Sequence, residues 1–120
     1  MKTVLVVDDA VTMRQMVSFT LRKGGYAVVE AEDGQDGLNK LQSATFDLII
    51  TDLNMPVMDG ITFIQNVRKM PGMKSKPILM LTTEGLASKK DQGKAAGASG
   101  WIVKPFDPEK LLLTLAKVLP

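Results

Sequence analysis

The sequence predicts a doubly wound α/β fold, in which helices cover both faces of a parallel sheet. Short runs of branched apolar residues recur about every twenty-odd residues, and such runs are typical of buried strands. Between them lie segments whose apolar residues have helical spacing. A βα unit repeated about five times with right-handed crossovers builds a sheet of this kind. The 120 residues, 45% of them hydrophobic, suffice for one compact core, so we predict one domain over residues 1–120.

The individual elements are predicted from these patterns and from the residues that begin and end helices. We predict strands at residues 4–7, 26–29, 46–51, 78–82 and 101–103. Gly24 and Gly25 stand where the first helix must end, because glycine adopts the left-handed conformation of a C-terminal cap. Asp107 and Pro108 suit the first turn of the last helix. That helix is expected to leave Leu113 exposed and to pack inward the side chains of Leu111, Leu112, Leu115 and Leu119.

The fourth helix, predicted over residues 86–98, has a weaker pattern than the others. It carries Gly93 and Gly97, few large apolar residues and a polar middle. Each glycine inside a helix lowers its stability by roughly 1 kcal/mol. We therefore predict that this helix is the most mobile element, of the kind from which conformational switches are drawn.

Composition excludes several classes of function. The chain contains no cysteine and no histidine, so it has no disulfide, no thiolate or imidazole metal ligand and no histidine base. A net charge of +2, without basic runs interleaved with aromatic residues, argues against nucleic-acid binding. No apolar run approaches the length of a membrane span, and the N-terminus lacks a signal-peptide core. We expect a soluble, cytoplasmic protein.

Polar side chains follow four of the predicted strands. They are Asp8 and Asp9 after the first strand, Asp52 after the third, Thr82 at the end of the fourth and Lys104 after the fifth. In an open parallel sheet these strand ends share one edge, where function collects. Taken singly, each has a structural explanation as a helix cap, a turn residue or a strand end. As a set they do not, because two carboxylates about 4 Å apart repel by roughly 4 kcal/mol at an effective dielectric of 20.

A divalent cation removes this conflict, and oxygen ligands without His or Cys favour Mg²⁺. Carboxylates, a metal ion, a lysine and a hydroxyl together form a phosphoryl-transfer site. Aspartate is an established nucleophile for such chemistry. Spacing alone leaves open which of the three aspartates accepts the group. We favour Asp52, because Asp8 and Asp9 are adjacent and better suited to sharing a cation.

Five short motifs resemble the pattern of the response-regulator receiver family. They are Val7-Asp8-Asp9, Asp52-Leu53-Asn54-Met55-Pro56, Met58-Asp59-Gly60, Leu81-Thr82-Thr83-Glu84 and Val103-Lys104-Pro105-Phe106. Their order and spacing make the resemblance specific over essentially the whole chain. Met13-Arg14 and Gly100-Trp101 are similar to the single-domain chemotaxis members of the family. The resemblance implies a flavodoxin-like three-layer sandwich of strand order 2-1-3-4-5, an order for which this family is a standard example.

The resemblance also implies a role for each site residue. Asp52 would accept a phosphoryl group from a chemotaxis-type sensor histidine kinase, assisting its own phosphorylation and slow autodephosphorylation without being an enzyme. Asp8, Asp9, Asp52 and the carbonyl of Asn54 would hold Mg²⁺. Lys104, through a cis bond to Pro105, and Thr82 would stabilise the phosphoryl group. Trp101 would turn inward with Thr82 as a switch, for which the structural alternative is core packing at a strand end.

The partners and the alternatives follow from this reading. The chain ends soon after the last helix, so we expect no effector domain and an output that is another protein, bound at the fourth helix, fifth strand and fifth helix. We also expect a monomer. A flagellar motor switch component is one candidate, a phosphatase is a further partner, and a phosphate sink would have a similar sequence. A haloacid-dehalogenase-type phosphohydrolase is disfavoured, because its nucleophile and acid lie two residues apart after the first strand. A flavin or nucleotide carrier is disfavoured because Asp8 and Asp9 would repel phosphate.

Overall fold

A computed structural model describes residues 1–83 and 87–119 of the chain. The strands are β1 (Thr3–Val7), β2 (Ala27–Ala31), β3 (Leu48–Asp52), β4 (Ile78–Thr82) and β5 (Gly100–Val103). The helices are α1 (Val11–Lys23), α2 (Gly34–Ser43), α3 (Gly60–Lys69), α4 (Ala87–Ala96) and α5 (Pro108–Val118). Within the described ranges, no helix has the length and apolar character needed to span a bilayer.

The five strands form one parallel sheet in the order β2-β1-β3-β4-β5, which confirms the predicted fold. Alternate residues of the inner strands point to opposite faces, and both faces are buried. One core packs Val17 and Leu21 of α1 and Leu111 and Leu115 of α5 against the sheet. The other packs α2 and α3 against the opposite face, with Phe63 at its centre. Because all five strands are parallel, every connection from a strand to the following helix lies at the same edge of the sheet.

Two predicted strand boundaries differ from the observed ones by two residues. Strand β2 ends at Ala31, two residues later than predicted, and β3 begins at Leu48, two residues later than predicted. Phe46 is buried, 2% exposed, although it precedes β3. Apolar patterning follows burial, whereas strand ends follow the hydrogen bonds between strands, and this explains the shift.

Helix α4 corrects the reading of its two glycines. The predicted start at Leu86 lies outside the described residues, and the helix ends at Ala96 because Gly97 has a φ of 115°. The amide of Ala98 donates to the carbonyl of Gly93 at 2.9 Å, the closure expected of a glycine C-terminal cap. Gly93 is buried against Met80 so closely that a Cβ atom would collide with the Met80 sulfur. Gly97 thus ends the helix and Gly93 allows it to pack, while the predicted mobility of α4 stays a prediction.

The ends of α1 and α5 agree with the sequence analysis. Two glycines follow helix α1. Gly24 has a φ of −81°, and Gly25 adopts the positive φ, 95°, that a glycine cap requires. The carboxylate of Asp107 accepts a hydrogen bond of 2.9 Å from the amide of Glu109 and so caps α5. Leu113 is 63% exposed, as predicted.

Candidate functional site

The carboxyl edge of the sheet brings the predicted acidic residues together. Asp8 follows β1, and Asp52 is the last residue of the neighbouring strand β3. Carboxylate oxygens of Asp8, Asp9 and Asp52 all lie within 4.8 Å of one another. Nζ of Lys104, just after β5, lies 3.3 Å from Oδ2 of Asp8 and 3.3 Å from Oδ2 of Asp52. The cluster that was predicted from strand ends is therefore present.

Asp52 is held by contacts on both of its carboxylate oxygens. Its Oδ1 accepts a hydrogen bond of 2.8 Å from the amide of Leu53, and its Oδ2 faces Lys104. The residue is only 8% exposed. Burial raises the pKa of Asp52 above its ordinary value, and the negative charge of Asp8 raises it further, whereas Lys104 and the Leu53 amide act in the opposite direction. The carboxyl group is oriented, but its charge is incompletely compensated.

Asp8 is fixed by the loop between β1 and α1. It is buried, and its Oδ1 accepts a hydrogen bond of 2.9 Å from the amide of Ala10. Ala10, without a side-chain cap, precedes α1, so neither acidic residue caps that helix. Nη1 of Arg14 donates to the backbone carbonyl of Asp8 at 2.7 Å, and its Nε lies 3.0 Å from Glu30. Arg14 thus positions the acidic loop, a role that the Met13-Arg14 motif did not reveal.

Gly60 is a second site residue whose role the sequence analysis missed. Its amide donates to the carbonyl of Leu53 at 2.8 Å, and a Cβ atom there would collide with the carbonyl oxygen of Asp52. Only glycine permits this approach of α3 to the end of β3. The preceding residue, Asp59, caps α3 by accepting a hydrogen bond of 2.8 Å from the amide of Thr62. An Asp-Gly pair shortly after a strand end was the available signal.

The remaining predicted site residues lie around the cluster. Thr82 is buried at the end of β4, in register with Val103 of β5. Asn54 is exposed in the β3–α3 loop and lines a small cavity of about 190 Å³ with Asp59 and Gln92. The Lys104–Pro105 bond is cis, as the resemblance implied.

Trp101 does not join the cluster in this structure. Its side chain is 41% exposed on β5, and Nζ of Lys90 in α4 lies 4.8 Å from the centre of its ring. An ammonium group at this distance from the face of an indole forms a cation–π contact. Trp101 therefore points outward from β5 and lies against Lys90 of α4. It is not packed in the core, which was the structural alternative.

The residues of the acidic cluster fit a divalent cation. Three carboxylates share the site with the ammonium group of Lys104, so negative charge is in excess. The ligands on offer are hard oxygens, which suit Mg²⁺. The excess of negative charge also contributes to the raised pKa of Asp52, whose carboxylate is buried beside that of Asp8.

Comparison with known proteins defines the class of this protein. A family model described as the response regulator receiver domain matches residues 4–116. The chain belongs to this family. Receiver domains act as phosphoacceptor switches in two-component phosphorelays and are not usually classed as enzymes.

Individual relatives include both chemotaxis and transcriptional regulators. The chain is 40% identical to the chemotaxis protein CheY-3 of Vibrio cholerae, over 96% of this chain and 89% of that protein. It is 39% identical to the transcriptional regulatory protein ResD of Bacillus subtilis over 97% of this chain, and the match covers 47%, about half, of ResD. The solved structure of the chemotaxis protein CheY4 of Vibrio cholerae superposes with a TM-score of 0.96, at 56% identity over 99% of both chains.

Proposed function

We propose that this receiver accepts a phosphoryl group on Asp52 from a histidine kinase. The observation that carries the proposal is the set of three carboxylates and one ammonium group at the carboxyl edge of the sheet, in which Asp52 ends the central strand. Asp52 is oriented by Leu53 and Lys104, whereas Asp8 is held within its own loop by Ala10. These contacts support the choice of Asp52 as the acceptor.

Mg²⁺ would be held by Asp8, Asp9, Asp52 and the carbonyl of Asn54. When bound, the ion supplies positive charge to the equatorial phosphoryl oxygens. In the transfer, a carboxylate oxygen of Asp52 forms a bond to phosphorus while the nitrogen–phosphorus bond of the donor phosphohistidine breaks. The released imidazole then takes up a proton.

Lys104 and Thr82 would stabilise the phosphorylated state. The ammonium group of Lys104 now lies between Asp8 and Asp52, and it would pair with the phosphoryl oxygens once Asp52 is modified. Thr82 would donate its hydroxyl to the same group. These contacts exist only after phosphorylation, so they shift the chain toward a second conformation. Trp101, on the strand that pairs with the strand of Thr82, would report or drive that change.

Within two-component signalling, we propose a chemotaxis role for residues 1–120 as one cytoplasmic, monomeric receiver domain. The similarity to two chemotaxis proteins supports this role. The output would be a protein, such as a flagellar motor switch component, bound at the surface formed by α4, β5 and α5. Exposed Trp101, Val103 and Leu113 offer apolar contacts there. The phosphoryl group would be lost by slow autodephosphorylation or to a phosphatase, and a phosphate sink would use the same chemistry.

The test is the intact mass of the protein after incubation with acetyl phosphate, with and without Mg²⁺. We expect one added phosphoryl group in the wild type that requires Mg²⁺, and none in Asp52→Asn. Asp59→Asn is the matched control, because Asn also caps a helix and Asp59 lies outside the cluster. A wild-type protein that folds normally and gains no mass in any condition would contradict the proposal. A mass gain that persists in Asp52→Asn would assign the acceptor to another residue.

A further inference from the structure

The loop between β3 and α3 contains a strained turn. The amide of Met58 donates to the carbonyl of Pro56 at 2.7 Å, which closes a three-residue γ-turn around Val57. Val57 has a φ of 71°, and it is the one non-glycine residue with positive φ in the described ranges. γ-Turns with a positive central φ are rare and strained, and a β-branched residue is among the least suited to this conformation.

Val57 is also unfavourable as a surface residue. Its side chain is 81% exposed, so it gains almost nothing from burial in the chain itself. Asn or Gly would adopt the positive φ with less strain and would expose no apolar side chain. Strain of this kind persists mainly at functional positions. A residue that is unfavourable on both counts indicates a contact with something outside the chain.

The turn is held in a fixed position relative to Asp52. Met55 and Met58 pack against the hydrophobic core on either side of Val57. The loop is closed beyond the turn by the 2.8 Å hydrogen bond from the amide of Gly60 to the carbonyl of Leu53. Val57 therefore projects from a closed, packed loop at the same edge that carries the proposed acceptor.

We propose that Val57 is a docking and specificity residue for the protein that donates the phosphoryl group, and that it contacts an apolar surface beside the donor's phosphohistidine. This inference rests on the proposed acceptance at Asp52. Asp52 is 8% exposed at the carboxyl edge of the sheet, so a protein donor must cover this edge to reach it. Val11, at the start of α1 on the same edge, is 53% exposed and extends the apolar surface. A small donor such as acetyl phosphate reaches Asp52 without covering Val57.

Two substitutions separate the apolar contact from the strain. Val57→Thr has nearly the same shape and keeps the β-branch, so it keeps the strain and loses the apolar surface. Val57→Asn loses both, because Asn tolerates positive φ. We expect the Tm of Val57→Asn to rise by roughly 2–5 °C and that of Val57→Thr to stay near the wild-type value. Phe19→Gln, which removes an exposed apolar side chain from the C-terminal half of α1, is the matched control.

The experiment compares two donors on each variant. One is acetyl phosphate, and the other is a histidine-phosphorylated phosphotransfer domain, chosen as the one that labels the wild type fastest from a panel of histidine kinases. We expect kcat/KM for transfer from the protein donor to fall roughly five- to tenfold in both Val57 variants. Labelling of the Val57 variants by acetyl phosphate, and transfer from the protein donor to Phe19→Gln, should match the wild type.

Several outcomes would overturn the inference. Protein transfer at the wild-type rate in both Val57 variants would show that Val57 makes no productive contact with the donor. Equal slowing with both donors would show that Val57 acts on the acceptor site itself. A loss in Val57→Asn that Val57→Thr does not share would assign the effect to loop geometry. A wild type that acetyl phosphate does not label would instead contradict the proposed function, so the two failures are distinguishable.

Discussion

Asp52, the proposed acceptor, carries a charge that its surroundings in the folded protein disfavour. It is buried, it lies beside Asp8, and both effects raise its pKa. Lys104 compensates part of this unfavourable charge at 3.3 Å from Oδ2. A site that binds a cation and then a phosphoryl group needs such excess negative charge in its resting state, because a fully neutralised cluster would bind the cation weakly.

Removing the charge of Asp52 should stabilise the metal-free protein at neutral pH. Since the folded-state pKa of Asp52 is raised, its stabilising contribution is fully present below the usual aspartate value of 3.8 and is lost as the pH rises through the folded-state pKa. Asn resembles the protonated carboxyl group. In EDTA at pH 7 we expect the Tm of Asp52→Asn to exceed that of the wild type by roughly 2–5 °C. The difference should shrink as the pH is lowered toward 4, and thermal melts across this range measure it.

The control for this prediction is Asp59→Asn, which should show no comparable gain, because Asp59 is exposed and caps α3. Addition of Mg²⁺ should favour the wild type over Asp52→Asn, since a ligand stabilises the state that binds it. A lower Tm for Asp52→Asn in EDTA at pH 7 would contradict the prediction. It would mean that the attraction of Lys104 outweighs both burial and the repulsion from Asp8.

Helix α4 is the element in which local propensity and packing disagree most. Its glycines lower helix propensity, yet Gly93 lets the helix lie directly on Met80 of β4. At the C-terminal end, Nη2 and Nε of Arg68 donate to the carbonyl of Gly97 at 2.6 and 3.0 Å. The same guanidinium donates to the carbonyls of Met73 and Lys76, at 2.6 and 2.7 Å. The C-terminal half of α4 is therefore attached to α3 and to the loop before β4.

Gly93→Ala should destabilise the protein, although alanine is the better helix former. The added methyl would collide with the buried side chain of Met80, and overpacking of this kind costs about 1–3 kcal/mol, against a gain of about 1 kcal/mol in helix propensity. We expect a net loss of up to about 2 kcal/mol, measured by urea unfolding. Ala95→Gly, at an exposed position of the same helix, should lose about 1 kcal/mol by propensity alone.

A double-mutant cycle tests the proposed contact. Met80→Val removes the sulfur and the terminal methyl that oppose the new Cβ atom, so Gly93→Ala should cost less in that background. If Gly93→Ala instead raised the stability of the wild type, α4 would have room to move away from β4. That result would also support the predicted mobility of the helix.

The fold and the acidic cluster could be predicted from the sequence. Both depend on local patterns, namely the spacing of apolar residues in strands and helices and the polar residues at strand ends. Alternating strands and helices, together with parallel strand ends, were enough to bring Asp8, Asp52 and Lys104 to one edge. The role of Arg68 was not predictable in this way. An arginine late in an amphipathic helix normally indicates a solvent-exposed face. The carbonyl groups that Arg68 binds belong to the loop before β4 and to Gly97 directly after α4, and the pattern of its own helix carries no information about them. The γ-turn at Val57 was equally hidden, because valine predicts extended structure.

At the scale of the whole molecule, β4 and β5 connect the sheet edge that carries the acidic cluster to the surface of α4. Thr82 pairs in register with Val103, and Trp101 pairs with Met80, which also contacts Gly93 of α4. These residues form a contiguous packed set between Thr82 and α4, and coupling between the two sites would need such a physical route. Trp101 is the only tryptophan in the chain, so its fluorescence reports this surface alone.

Phosphorylation should change the solvent access of Trp101. The ring is 41% exposed under Lys90, and an inward rotation after Thr82 moves toward the phosphoryl group would bury it. With acetyl phosphate and Mg²⁺ we expect acrylamide quenching of the tryptophan to fall by roughly a factor of two and its emission to shift to the blue. Thr82→Ala should still gain a phosphoryl group by mass but lose most of the fluorescence change, because the hydroxyl proposed to bind the phosphoryl group is missing. Lys90→Met should keep the change while altering the starting emission. Phosphorylation of the wild type without any change in quenching would assign Trp101 to a fixed role in the output surface, and the switch would then have to act through α4 alone.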